Sequence, residues 1–213
     1  MESTQKRTWA EISLDNIAHN YKSIKERLPE GCRFLAVVKT NAYGHGAEKV
    51  AKLAEKLGSD YLAATNIDDA LQMRSWGIKT PILIFGYTQP EYTKTLIENN
   101  ITQEVDSLES AKAFSRSASM LGKKLKVHLK VDSGMGRLGF TCHGDRDPRA
   151  QMLEIMQLTG LDIEGIFTHF AVADVHDDNY TAMQLNAFLS TLNRLEKNPA
   201  LNLKSNIALT AAL

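Results

Sequence analysis

Cysteine is nearly absent from this 213-residue chain, which holds only Cys32 and Cys142. Two thiols far apart in a chain of this size make no disulfide framework, and they indicate a reducing compartment. An excess of either charge is missing too: the 25 Lys and Arg residues balance the 25 Asp and Glu residues, for a formal net charge of zero. That balance excludes the broad basic surface that a nucleic acid or an anionic membrane would select. Long apolar runs are lacking as well. None approaches the ~20 residues that cross a bilayer, and the polar residues 1–7 lead into no apolar signal-peptide core. These absences predict a soluble, cytoplasmic protein with no nucleic-acid and no membrane partner. The length suffices for one substantial core, so one domain over residues 1–213 is expected.

What the chain does contain is an alternation of strand-like and helix-like segments. Short apolar runs at 34–38, 61–65, 81–85, 101–105, 126–131, 165–168 and 206–209 predict strands. Apolar residues at helical spacing predict helices over 14–28, 47–57, 67–76, 90–98, 107–121, 149–158 and 180–195. Ser13 stands where a cap would open the first helix, and Gly58 and Gly77 stand where the second and third would stop. Roughly seven βα units, against about eight in a closed barrel, predict an α/β fold of the (β/α)8 TIM-barrel type, incomplete. The last residues, Ala208-Leu209-Thr210-Ala211-Ala212-Leu213, form an apolar stretch followed by neither turn nor helix. The expectation is a truncated barrel whose missing strand would leave unpaired edges.

Several residues stand where such a fold places chemistry. Lys39 ends the apolar run 34–38 and is expected at the carboxyl end of a buried parallel strand, the active face of α/β barrels. An amine between an apolar wall and a cleft is partly desolvated. Part of it is then the neutral nucleophile that forms a Schiff base with an aldehyde such as pyridoxal phosphate. Tyr43 follows four residues on, one turn away if the segment is helical. Arg137 comes after Gly134 and Gly136, which let the backbone pass close to a ligand, and its rigid, permanently charged fork suits a carboxylate. His169 ends another apolar strand. Gly134-Met135-Gly136-Arg137-Leu138-Gly139 satisfies a bare dinucleotide-binding pattern, but loop residues follow where that pattern requires a helix, so it is a decoy. Asp174, His176, Asp177 and Asp178 cluster before a helix and read as first-turn charges; no metal site is expected.

The run Ala36-Val37-Val38-Lys39-Thr40-Asn41-Ala42-Tyr43-Gly44-His45-Gly46 resembles the pyridoxal-phosphate signature of alanine racemases. Thr8-Trp9-Ala10-Glu11-Ile12-Ser13-Leu14-Asp15 is similar to the opening segment of that family. Val131-Asp132-Ser133-Gly134-Met135-Gly136-Arg137-Leu138-Gly139-Phe140 is similar to its second signature, and Thr168-His169-Phe170-Ala171 to a third. The resemblance implies the N-terminal barrel of such an enzyme, without the family's C-terminal β-rich domain. It implies interconversion of L-alanine and D-alanine, which feeds peptidoglycan precursors, by α-proton transfer on pyridoxal 5'-phosphate. Lys39 would carry the cofactor and serve as one of two bases, and Tyr43 would contact its phosphate. Arg137 would reach the cofactor's phenolic oxygen and the substrate carboxylate, and His169 would lie beside the ring. Lys130 would be the lysine that the family often carbamylates. Thr210 stands where the family has the serine of an Asn-Ser pair; here the pair reads Leu209-Thr210, which puts phosphate affinity in doubt. The resemblance also implies a homodimer, whose second base is a tyrosine from the partner's C-terminal domain, so an impaired enzyme is expected. Two alternatives stay open: a non-catalytic pyridoxal-phosphate homeostasis barrel, which lacks the Tyr43-Gly44-His45-Gly46 run, and a serine racemase of the same family.

Overall fold

Ser13 opens the first helix as its side chain predicts: Oγ accepts from the Asn16 amide at 3.2 Å, with Asp15 beside it in the first turn. The computed structural model describes residues 8–175, 179–196 and 207–210. It divides into two compact units, Met1–Pro81 and Ile82–Leu213.

In the first unit α1 (Leu14–Lys25) precedes β1 (Leu35–Val37), a helical turn α2 (Lys39–Tyr43), α3 (Ala47–Lys56), β2 (Tyr61–Ala64) and α4 (Ile67–Ser75). Strands β1 and β2 pair in parallel, with Leu35 opposite Tyr61 and Val37 opposite Ala63. Leu62, Ala63 and Ala64 are fully buried, as a strand covered on both faces must be. Tyr21 of α1 meets the Phe34 ring edge-on at 4.6 Å. Asn66 caps α4 by accepting from the Asp69 amide at 2.8 Å.

In the second unit β3 (Ile82–Ile84) is followed by a 3-10 turn (Pro90–Tyr92), α5 (Thr93–Glu98), β4 (Ile101–Val105), α6 (Leu108–Met120), β5 (Leu125–Asp132) and β6 (Phe140–Thr141). Then come α7 (Arg149–Met156), β7 (Leu161–His169), α8 (Asn179–Glu196) and β8 (Ile207–Thr210). The strands run parallel in the order β3-β4-β5-β7-β8, and β6 pairs β5 outside that path. Both faces of β5 are buried. Val127, Leu129 and Val131 form an apolar face, while His128, Lys130 and Asp132 alternate with them on a polar one.

All seven expected strands are present. The strand expected at 165–168 is longer, Leu161–His169, because Asp162 and Glu164 mask its start in an apolar count. Glu164 falls at the register shift opposite Val127 and His128, and Lys126 of β5 neutralises it at 3.0 Å. Strand β6 was not expected. It exists because Gly139, at φ 120°, lets the chain fold back onto β5; a Cβ there would meet the Asp132 nitrogen and the Lys130 oxygen at 2.8 Å. Asn206, Ala211, Ala212 and Leu213 lie outside the described residues, and with them the expectation about the chain's end. No described helix is long and apolar enough to cross a membrane.

Candidate active site

Lys39 follows β1 by two residues, and the turn it opens is left-handed. Thr40, Asn41, Ala42 and Tyr43 have φ of 54°, 55°, 51° and 54°. For non-glycine residues this costs about 1–2 kcal/mol each, a strain of the kind that persists where the surroundings hold it. Here the hold is a set of hydrogen bonds. Val38 is fixed to β2 through the Ala63 carbonyl at 3.1 Å, and the Ala42 amide returns to the Val38 carbonyl at 3.1 Å. Asn41, the residue type most tolerant of this region, accepts from the Ala47 amide at 2.9 Å and so serves the first turn of α3. Gly44 ends the turn at φ 87°. The four-residue spacing of Lys39 and Tyr43 therefore spans a left-handed turn, which no helical periodicity announces. Lys39 is half-buried, and its Nζ stands 5.9 Å from the centre of the Tyr43 ring. Tyr43 itself is 61% exposed. A cavity of about 820 Å³ opens on the same segment, lined by Val38, Asn41, His45 and Trp76 among others, but Lys39 and Tyr43 do not line it.

In the second unit the functional candidates sit at the carboxyl ends of β5, β7 and β8. After Asp132 the chain forms a loop that carries Arg137 exposed on its surface. One Asp132 oxygen, Oδ1, accepts from the amides of Gly134 and Gly136, each at 3.0 Å, and shapes that loop. Ser133 and Thr168 join their hydroxyls at 2.7 Å, and the Tyr180 hydroxyl donates to the Gly134 carbonyl at 2.6 Å. Gln184 of α8 is fully buried; it donates to the His169 carbonyl at 3.2 Å and accepts from the Ala171 amide at 2.9 Å. His169 is half-buried and lies in register with Thr210 at the end of β8. No helix opens at Gly134 or Gly136, so the dinucleotide pattern is a decoy in fact. Asp174 is exposed in a turn, and His176, Asp177 and Asp178 lie outside the described residues.

Lys130 does not reach water. It is 5% exposed and pairs with Glu104, 6% exposed, at 3.6 Å, with the Phe167 ring 5.7 Å from its Nζ. Burial pushes the Glu104 carboxyl up to about 7, against the opposing pull of Lys130. Burial likewise holds the His128 imidazole down at about 4. The sequence reading missed Glu104, Asp132 and Gln184 as working residues. A carboxylate inside the otherwise uncharged run Ile101-Thr102-Gln103-Glu104-Val105 is the one signal that could have found Glu104.

The donor types fit a phosphorylated aldehyde. The first unit offers an amine and a phenol on one turn. The second offers a guanidinium and an imidazole beside strand ends, with hydroxyl and main-chain donors around them. Lys39 and Tyr43 of the first unit, and Arg137 and His169 of the second, are the residues whose donors suit such a group.

Residues 12–213 match the family model "Alanine racemase, N-terminal domain". The alanine racemase of Desulforamulus reducens is 43% identical over 189 residues, which are 89% of this chain and 50% of that protein. A solved alanine racemase of Clostridium difficile 630 superposes with a TM-score of 0.89 at 39% identity, covering 98% of this chain and 56% of the other. The histidine racemase of Leuconostoc mesenteroides superposes with a TM-score of 0.78 at 30% identity, over 92% of this chain and 50% of the other. The chain thus spans about half the length of the curated relatives it matches. The fold is the parallel α/β fold of the N-terminal barrel domain in pyridoxal-phosphate-dependent racemases. On the match over residues 12–213, this chain belongs to the alanine racemase family.

Proposed function

We propose that this chain holds pyridoxal 5'-phosphate through Lys39 and serves the interconversion of L-alanine and D-alanine. The observation that carries the proposal is the amine of Lys39 at the end of β1, on a left-handed turn that fixes it beside Tyr43. When bound, the cofactor supplies an electron sink that acidifies the α-hydrogen of an amino acid. Lys39 Nζ would hold the cofactor and would serve as the base that takes or returns the α-proton. The Tyr43 and Thr210 hydroxyls donate to phosphate oxygens. The Arg137 guanidinium pairs with carboxylate and phenolate oxygens, whose planar spacing it matches. His169, held by the anchored end of β7, would contribute its imidazole beside the cofactor. The setting we propose, from the family resemblance of the sequence motifs, is a homodimer in the cytoplasm that supplies D-alanine for peptidoglycan precursors.

The test is borohydride reduction of the full chain after addition of pyridoxal phosphate, followed by peptide mapping. The expected result is one reduced adduct, at Lys39. Label scattered over surface lysines would overturn the proposal. Incubation in deuterated solvent with D-alanine, D-serine or D-histidine then assigns the substrate. Deuterium at the α-carbon of alanine, above the other two, is expected. An adduct at Lys39 with no label in any amino acid would mark a binder of the cofactor and not a racemase.

A further inference from the structure

Lys130 and Glu104 face each other across two hydrogen-bonded strands, β5 and β4, where His128 stands opposite Glu104 in register. Both side chains are nearly sealed from water, at 6% and 3% exposure. Their separation of 3.6 Å makes an ion pair rather than a close hydrogen bond, and Glu104 Oε2 has no hydrogen-bond partner. The third wall is the Phe167 ring of β7, directly opposite Lys130 in register. Arg137 and Asp106 complete the charges that act on Glu104, the first favouring its anion and the second opposing it. We propose that Glu104 is the resident counter-ion of Lys130, and that it keeps Lys130 an unmodified ammonium, so that the anion beside Lys130 is a carboxylate of the chain itself and not a carbamate.

The argument is one of charge and of chemistry. Carbamylation needs the neutral amine: its lone pair forms an N–C bond to carbon dioxide, a C=O π pair becomes the carboxylate charge, and an N–H proton leaves to solvent. The product replaces a cation by an anion. Beside Glu104 that would turn a neutral pair into two anions confined in one buried site, where like charges disfavour each other strongly. Above about pH 7, where Glu104 is ionised, the anion is already supplied. A buried carboxylate paired with a buried ammonium needs nothing from outside, and the π face of Phe167 favours the cation over an anion. Glu104 is thus a positioning residue: it sets the charge that Lys130 and Arg137 experience without touching a ligand.

The test involves neither cofactor nor turnover, so it stands or falls apart from the racemase proposal. The full chain is equilibrated with ¹³C-bicarbonate above pH 7, where Glu104 is ionised, and observed by ¹³C NMR, with Lys130→Met as the assignment control. The expected spectrum has no carbamate resonance that the control lacks. A carbamate resonance in the unsubstituted chain, lost in Lys130→Met, would overturn the proposal outright. In Glu104→Thr, which removes the carboxylate and keeps a strand-forming residue, a new carbamate resonance is expected, absent from the double variant with Lys130→Met. A folded Glu104→Thr chain without that resonance would overturn the assignment of Glu104 as the protecting group. The first arm needs no Glu104 variant to fold, so the proposal stays falsifiable if Glu104→Thr is unstable.

Discussion

Two residues of the Lys39 turn separate chemistry from geometry. Lys39→Arg keeps the charge and removes a primary amine able to attack an aldehyde. The borohydride-trapped adduct should disappear from the peptide map, and racemisation should fall by about 10²–10⁴-fold. Asn41 tests the turn itself. Its Oδ1 accepts from the Ala47 amide while its own backbone is left-handed at φ 55°. Asn41→Ala loses both the side-chain acceptor and a residue tolerant of that region, for a destabilisation of about 1–2 kcal/mol. Asn41→Gly loses the acceptor alone and should cost less. Helix propensity taken alone would rank these two substitutions the other way round. Denaturant midpoints of the pair therefore decide whether the turn is left-handed in solution, and an alanine variant more stable than the glycine variant would contradict it.

Elements matter here mainly through what anchors their ends. Helix α8 reaches both the Arg137 loop and the end of β7: Tyr180 holds the Gly134 carbonyl, and Gln184 holds the His169 carbonyl and the Ala171 amide. Gln184→Leu keeps the volume and removes these two hydrogen bonds to part-buried backbone groups, which should cost about 1–2 kcal/mol. Amide exchange at Ala171 should accelerate more than exchange within β7. Equal protection of Ala171 in both proteins would show that Gln184 is not the clamp. The same element explains what was legible in the sequence. The helix over 180–195 and all seven strands show in the apolar spacing, because a parallel strand covered on both faces is a short apolar block and its covering helix a 3.6-residue stripe. The placement of Lys39 after β1, of His169 at the end of β7 and of Arg137 in a loop was legible because each directly follows or ends such a block, or lies among spaced glycines. Left-handed Thr40 to Tyr43 was not legible, since nothing in an apolar count distinguishes it from an ordinary helical turn. Glu104 and Gln184 were hidden for another reason. Each is a polar residue inside a regular element, and its role depends on a neighbour distant in sequence, Lys130 or Ala171.

The pH dependence of folding sums over the molecule, and two buried groups of the second unit pull it in opposite directions. Glu104 titrates at about 7 in the folded chain against 4.5 unfolded. Between those values the folded state holds a proton that the unfolded state has released, so Glu104 makes stability fall as pH rises, by up to about 3 kcal/mol across the window. His128 titrates at about 4 when folded against 6.5 unfolded. Over most of the same interval the unfolded state holds the extra proton, so His128 makes stability rise with pH by a similar amount. The slopes oppose each other between about pH 4.5 and 6.5, and the intact chain should show a nearly flat contribution from this pair. Substitution uncovers each slope in turn. Glu104→Gln should leave a chain whose unfolding free energy rises with pH over this interval, and His128→Phe one whose free energy falls. Chemical denaturation at closely spaced pH values reads both, and because only slopes are compared, the constant cost of each substitution drops out. Slopes of the same sign in the two variants would mean that these groups are not the buried, oppositely perturbed pair that β4 and β5 place side by side.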